Sequence, residues 1–359
     1  MILEVPQIIY KKISRISPSQ FYAIKSCSYR SLLAESMERK PLLPVSAAAS
    51  YGTVLHKMLE FIAMGKIKTE AAFEIAFSEQ ITEMENKLKA NGWGIMTPLQ
   101  LHVRDFTMKK ILIRKNLVSV GKTHSRIGLK GNRPEQWLIS KDNIVGGLVD
   151  LIIEKDGEVE IVDFKTGSVV NRFEGSDGDE RIKEEYLDQL KLYAYLYFEK
   201  KSRFPDRLSL VDVTGQKYNV NFSQEECIVI FADAKRMLDE INTSVDTGAF
   251  SPNPTEDNCK YCLYRPACKY YLETLALGQE IADVSGILSE VIQSRNKNVN
   301  LLLIVEGHHV SISGLPSSVY EEFLSNKDKR INIFNLKKRS TKYSFTVQGI
   351  TMIYEPPQQ

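Results

Sequence analysis

Residues Gly146 to Gly167 read GGLVDLIIEKDGEVEIVDFKTG. Two runs rich in Val, Ile and Leu flank Asp156-Gly157, a dipeptide suited to the two-residue turn of a β-hairpin, whose central positions need positive φ. With that pair as the turn, Lys155 faces Glu158, and the register carries back until Asp150 lies opposite Asp163. Lys165, two residues beyond Asp163, projects from the same face. Ile152 and Ile161 share that face, while Val149, Leu151, Val162 and Phe164 fill the other, so the hairpin is expected to be central and covered on both sides. Two carboxylates placed this closely repel each other, and one must take up a proton unless a cation intervenes. A magnesium or manganese ion resolves the conflict by taking both as hard oxygen ligands. The lysine beside them can hold a water or a phosphate oxygen. Gly146 and Gly147 leave room for a backbone or substrate to approach. A surface Asp–Lys pair is the plainer reading of any single D-x-K tripeptide. This one ends a strand in an apolar hairpin, opposite a second acid.

The chain around this hairpin has 359 residues, 43% of them hydrophobic and 26% charged, with a net charge of +2. That composition is globular and long enough for two or three domains. Nucleic-acid affinity, if present, has to come from local patches rather than from bulk charge. No apolar run reaches the ~18 residues of a membrane span, and the first residues, Met-Ile-Leu-Glu-Val-Pro-Gln, lack the basic and apolar regions of a secretory leader. A cytoplasmic location and no membrane partner are expected.

Ser17-Pro18-Ser19-Gln20 has the form of a capping box with proline at the first helical position, so a helix is predicted over 18–39. Further helices are predicted over 46–63, 69–90 and 98–115. From 117 the period changes to that of strands, at 117–121, 124–129, 135–140, 144–154 and 158–164. A long helix follows at 180–201, then strands at 207–213 and 217–222 around Thr214-Gly215, and a helix from Ser223 to about 245. After 283 a helical piece precedes strand-like segments such as LLLIVEGHHVSISGL and RINIFNLKKR. The expected organisation is an N-terminal helical region (1–116), an α/β core with a mixed central sheet flanked by helices (117–275), and a small β-rich domain (283–359).

Asp150, Asp163 and Lys165 together resemble the acid…(D/E)-x-K signature of the PD-(D/E)XK nucleases. The form GGLVDLI…VEIVDFKTG is similar to the RecB-type branch, which includes the nuclease domains of RecB and AddB and the CRISPR-associated adaptation exonucleases. The resemblance spans about residues 15–275 and implies a restriction-endonuclease-like core. It also implies further site residues. Gly52, His56 and Glu60 match the branch's G-x-x-x-H-x-x-x-E helix, which makes His56 a metal ligand; Glu60, one turn away on the same face, can orient its imidazole. Gln189 and Tyr193 match its Q-x-x-x-Y helix, able to reach phosphate or Lys165. The carbonyl of Phe164 is implied as a further metal contact.

Of the five cysteines, Cys259, Cys262 and Cys268 fall within ten residues, with Cys27 far upstream and Cys227 between. An odd count in an intracellular chain argues against a disulfide framework, and the spacing is that of metal ligands. Four thiolates suit zinc or an iron–sulfur cluster; three alone would make a zinc knuckle. The AddB-like and CRISPR-associated proteins have one cysteine before the nuclease core and three after it, so the resemblance implies that Cys27, Cys259, Cys262 and Cys268 hold a [4Fe–4S] cluster. Closing a loop of about 230 residues in this way is worth ~5 kcal/mol on the entropic account, and it would pin the N-terminal helix beside the end of the core. Cys227 reads as a plain buried thiol.

Between Asn326 and Lys342 there are seven basic residues and one acid. In an OB-like or SH3-like barrel, Lys329, Arg330, Lys337, Lys338 and Arg339 would track phosphates, with Phe334 and Tyr343 stacking on bases; the same run also suits the solvated face of a protein-docking module. The function expected is a Mg2+- or Mn2+-dependent deoxyribonuclease, an exonuclease acting on single-stranded DNA ends in DNA repair, recombination or defence. Asp150, Asp163 and His56 would hold the metal, Lys165 would steady the phosphate, and Gln189 and Tyr193 would position the substrate. Two alternatives belong to other classes: a catalytically silent DNA-end-binding subunit of a helicase–nuclease assembly, and a zinc-binding interaction module on an inert hairpin. No G-x-x-x-x-G-K-[ST] motif is present, so a motor would come from a partner protein.

Overall fold

The computed structural model describes residues 1–124, 132–172, 180–295 and 297–357. Asp156 and Gly157 take φ values of 51° and 82°, the doubly positive conformation of a two-residue hairpin turn. Leu151 pairs with Val162 and Lys155 with Glu158, so the register is the one expected, and one step further along both strands sets Asp150 against Asp163. Both faces are covered along the paired middle of the hairpin: Val149 on one face and Ile152 and Ile161 on the other are fully buried.

The hairpin strands, Gly146–Lys155 and Glu158–Lys165, are the second and third of a five-stranded mixed sheet. Asn132–Ile139 flanks them on one side, and Arg207–Asp212 followed by Lys217–Val220 on the other. Only the pairing of Glu158–Lys165 with Arg207–Asp212 is parallel. A parallel neighbour requires a crossover, and the helix Glu184–Lys201 lies within it. Ala47–Ala63, capped by Ser46, and Glu70–Ala90, capped by Thr69, form as predicted.

Four local expectations are corrected. The strand expected at 117–121 is the end of a helix, Phe106–His124, because extending an existing helix costs little even through β-branched residues; most of the strand expected at 124–129 lies outside the described residues. The helix expected at 98–115 is preceded by a separate short one, Leu99–His102. The helix expected over 18–39 is two, Pro18–Ser26 and Ser28–Ser36, broken at Cys27, which is extended at φ −158° and ψ 96°. The helical piece after 283 is a strand, Val284–Gln293, in which Val284 and Leu288 are buried and the sheet pairing decides the conformation.

The chain divides into two compact units, 13–25 with 46–247, and 1–12 with 26–45 and 248–359. These units cut across the linear boundaries expected near 116 and 275: the helices of 46–124 group with the hairpin sheet, and Cys27 groups with the C-terminal residues. The second unit carries an eight-stranded sheet in which Arg330–Phe334 and Lys337–Lys338 are separated by four intervening strands. On a flat sheet that separation is about 24 Å, yet three residues of chain span at most ~11 Å. The sheet therefore curls back on itself around Leu288, Leu301, Val310, Phe323 and Ile333. Among the described residues no helix is long and apolar enough to cross a membrane.

The turn yields a direct test. Gly157 takes a φ that L-residues disfavour, so Gly157→Ala should cost about 1–2 kcal/mol. The urea midpoint should fall with an unchanged slope; a variant as stable as the parent would mean that the turn is not held in this conformation.

Candidate active site

The helix Ala47–Ala63 sets His56 and Glu60 one turn apart, and the hairpin brings Asp150 to meet them. His56 Nε2 lies 3.2 Å from Glu60 Oε1 and 3.2 Å from Asp150 Oδ1. Among the described residues, this trio forms a group whose ligand atoms lie within 4.8 Å of one another. Glu60 is thus as close to the imidazole as Asp150 is, within the reach its reading as an orienting residue requires, and it also joins the group with Asp150. Burial works to lower the His56 pKa, but the hydrogen bonds and charges of Asp150 and Glu60 outweigh it and raise it to about 10. An imidazolium here balances two acids. Asp150 Oδ2 also accepts the Phe164 N–H at 2.7 Å, which locks the carboxylate to the partner strand. The structure thus engages Phe164 through its N–H.

Asp163, Lys165 and Gln189 form a closed polar ring. Gln189 Nε2 donates to Asp163 Oδ1 at 2.7 Å, and Lys165 Nζ donates to Gln189 Oε1 at 2.7 Å. The ammonium also lies 2.8 Å from Asp163 Oδ2 and 4.3 Å from the centre of the Tyr186 ring. Tyr186, one turn before Gln189, was not singled out from the sequence; its i, i+3 spacing from Gln189 is the signal that marks it. Burial, and then the charge of Asp150, raise Asp163 to about 6, with Lys165 and His56 opposing. Its buried Oδ2 receives no well-directed hydrogen bond. A buried acceptor left in that condition suits a cation. Tyr193 is buried, and its hydroxyl donates to the Leu148 carbonyl at 2.7 Å. It anchors the strand that carries Asp150.

His56 and Glu60 open onto a cleft of ≈ 740 Å³ between the helices Ala47–Ala63 and Glu70–Ala90 and the Thr166-Gly167 loop, with Lys57, Lys87 and Lys109 on its walls. The donor set of one imidazole and several carboxylates suits a hard divalent ion.

In the other unit, Cys27, Cys259, Cys262 and Cys268 line one small cavity. Two amides bring Cys27 there: Asn253 Nδ2 and Asn258 Nδ2 both donate to the Ser26 carbonyl, at 3.0 and 3.1 Å. As the residue capping Ser28–Ser36, Cys27 makes no side-chain capping bond. Burial, followed by the neighbouring thiols, pushes Cys259 and Cys268 up to about 12. Four thiols gathered on one small cavity are a donor set suited to a thiophilic metal. Buried Arg265 frames the loop. Its guanidinium donates to the carbonyls of Cys259 and Cys262 at 2.9 and 2.8 Å, and pairs with Asp283 at 2.8 Å and Asn335 Oδ1 at 2.8 Å. Cys227 is fully buried on a helix of the hairpin unit, as expected of a plain thiol.

Lys329, Arg330, Lys337, Lys338 and Arg339 are all exposed. Phe334 is not available for base stacking: it is fully buried and packs edge-on to Tyr354, on the face of its strand opposite Ile333, which lies in the core of the curled sheet. Tyr343 is half-buried beside His308.

None of the curated proteins matches the chain significantly. Among solved structures, a proposed exonuclease from Eubacterium rectale is 11% identical at a TM-score of 0.45, covering 75% of this chain and 91% of that one. A murine DNA-binding protein bound to double-stranded DNA is 10% identical at a TM-score of 0.18, covering 62% and 92%. Scores this low carry no weight for fold or function. The PD-(D/E)XK nuclease superfamily model, by contrast, matches residues 15–269, a span that takes in His56, Asp150, Asp163, Lys165, Gln189 and all five cysteines. The chain belongs to the PD-(D/E)XK nuclease superfamily.

Proposed function

We propose that the chain is a divalent-metal-dependent deoxyribonuclease of the RecB/AddB-like branch, hydrolysing phosphodiesters from single-stranded DNA ends in the cytoplasm, with any motor supplied by another chain. One observation carries the reading: the ring of Asp163, Lys165 and Gln189 stands beside the trio of His56, Glu60 and Asp150, joined through the Phe164 N–H to Asp150. A dead copy kept only as a scaffold has no need to hold a buried lysine and a buried aspartate in register. The preference for single-stranded ends rests on the motif resemblance alone.

Asp150, Asp163, His56 and Glu60 would hold Mg2+ or Mn2+, with the Phe164 carbonyl as a further donor. Once bound, such an ion polarises the phosphate and lowers the pKa of water. The chain's own residues supply positioning. Lys165 donates to Gln189 and lies against Asp163 as an ion pair, which holds the ammonium in place; a further N–H can donate to a phosphate oxygen and steady the charge that gathers there. Gln189 holds both partners of that ion pair, and Tyr193 fixes the Asp150 strand beneath them.

For the four cysteines we propose a [4Fe–4S] cluster, with zinc as the alternative. The four cysteines line one small cavity, a thiol set that either group can use, and the resemblance favours the cluster. Lys329, Arg330, Lys337, Lys338 and Arg339, on a curled sheet of OB-like or SH3-like kind, would track DNA phosphates.

Two experiments test these readings. End-labelled single and double strands incubated with Mn2+ should be degraded by the parent chain, while Asp163→Ala and Lys165→Ala lose at least a hundredfold in rate; parental rates in both variants would remove the nuclease from this site. Anaerobically purified protein should be brown, with about four irons per chain on the cluster reading. Cys27→Ser and Arg265→Leu should lower iron content and thermal midpoint together, whereas a colourless parent holding one zinc would overturn the cluster.

A further inference from the structure

One face of the hairpin sheet is left open at one end. Trp137 and Leu148 are directly paired across neighbouring strands and are 48% and 45% exposed. Leu148 lies two residues before Asp150, so the two side chains share a face, and Trp137 is the diagonal neighbour of Asp150, about 7–8 Å away. Along this face exposure falls from Trp137 and Leu148, through Asp150, to the fully buried Ile152. On the opposite face Leu138 and Val149 are both buried. The open apolar surface is thus not scattered: it runs directly into the carboxylate of the metal group.

The indole is also held from beside. The Arg15 guanidinium lies 5.5 Å from the centre of the Trp137 ring, and its Nε donates to the Asn143 carbonyl at 3.1 Å, which fixes the side chain there. Lys200 Nζ donates to the Trp137 carbonyl at 3.3 Å. A half-open indole with a fixed cation against it offers a π-face for stacking and a charge for a phosphate.

We propose that Trp137, with Arg15 and Leu148, is a base-stacking platform for single-stranded nucleic acid, receiving the nucleotide next to the phosphate at Asp150. The proposal rests on the nuclease reading of the Asp150 site and extends it to how substrate is chosen. An unpaired base presents a face to the indole, whereas a base inside a duplex already spends both faces on its neighbours. Stacking is tolerant of sequence, so the platform selects strandedness and not base identity.

The chain has two tryptophans, Trp93 and Trp137. Trp93→Phe therefore makes Trp137 the sole indole reporter. In buffer with EDTA, where no cleavage occurs, titrating this variant with an oligothymidylate should quench its fluorescence saturably, and a blunt duplex of equal length should quench it far less. In the wild-type background, Trp137→Ala should weaken binding of a labelled single strand by roughly 5- to 100-fold, with Trp137→Phe recovering most of it and Arg15→Gln falling between. Trp137 is half-exposed, so these variants should keep the parental thermal midpoint. Unchanged fluorescence on saturation, equal quenching by duplex, or parental affinity in Trp137→Ala would overturn the platform. Because binding is read without metal or turnover, a chain that binds but does not cut would fail only the nuclease reading, and a chain that cuts while Trp137→Ala binds normally would fail only this one.

Discussion

Like charge held at close quarters is the constraint from which the hairpin unit is built. The Asp156-Gly157 turn sets a register that leaves Asp150 and Asp163 adjacent, and burial makes the conflict between them worse. Each acid is answered by a different cation from a different element. His56 comes to Asp150 from the helix Ala47–Ala63, and Lys165 comes to Asp163 from its own strand, braced by Gln189 from the crossover helix. The helices that cover this sheet are therefore also the carriers of its charge balance. Removing any one partner leaves a buried acid uncompensated, which is why the same residues serve stability and chemistry.

The cysteine unit solves a different problem, that of joining segments far apart in the chain. Residues 26–45 and 248–268 meet because Asn253 and Asn258 grip the Ser26 carbonyl and because the backbone of Leu42 and Leu43 reaches the Leu263 carbonyl. Arg265 then ties the cysteine loop to Asp283 and Asn335 of the curled sheet. Tyr271 donates to the same Asp283 carboxylate at 2.7 Å. An ion pair this buried repays its desolvation only when every donor is used. Here the guanidinium is shared among carbonyls, a carboxylate and an amide, so the sheet and the cysteine loop behave as one folded body.

The hairpin could be read from sequence to the residue, because a two-residue turn and a period of two leave a single register. His56 and Gln189 were singled out only by resemblance to the nuclease motifs, and the structure brings them to Asp150 and Asp163; the cysteine spacing was legible as a short local pattern. What failed was local pattern without tertiary context. Leu117-Val118-Ser119-Val120 has the composition of a strand and continues a helix, while Ile287-Leu288-Ser289-Glu290 has the composition of a helix and pairs in a sheet. Phe334 looked like a stacking residue amid lysines, yet it is buried against Tyr354 on the face of its strand turned away from Ile333. Glu60 was undervalued because helical spacing says that it can meet His56 and says nothing of Asp150.

The Q-x-x-x-Y helix shows how a motif can divide its labour. Gln189 faces the charges, whereas Tyr193 faces backbone, donating to Leu148 two residues before Asp150. That approach explains the glycine next to it: a Cβ at Gly147 would lie 2.8 Å from Pro18 Cδ and 3.1 Å from the Tyr193 hydroxyl. The glycine therefore admits a tyrosine rather than a substrate. Tyr193 holds the Asp150 strand by its backbone, and the side chains of Leu148 and Trp137 stand exposed at the open end of the face. The hydroxyl that steadies the acidic strand thus meets the backbone of the residue whose side chain stands exposed beside Asp150, a coupling between scaffold and open surface that no single residue pattern reveals.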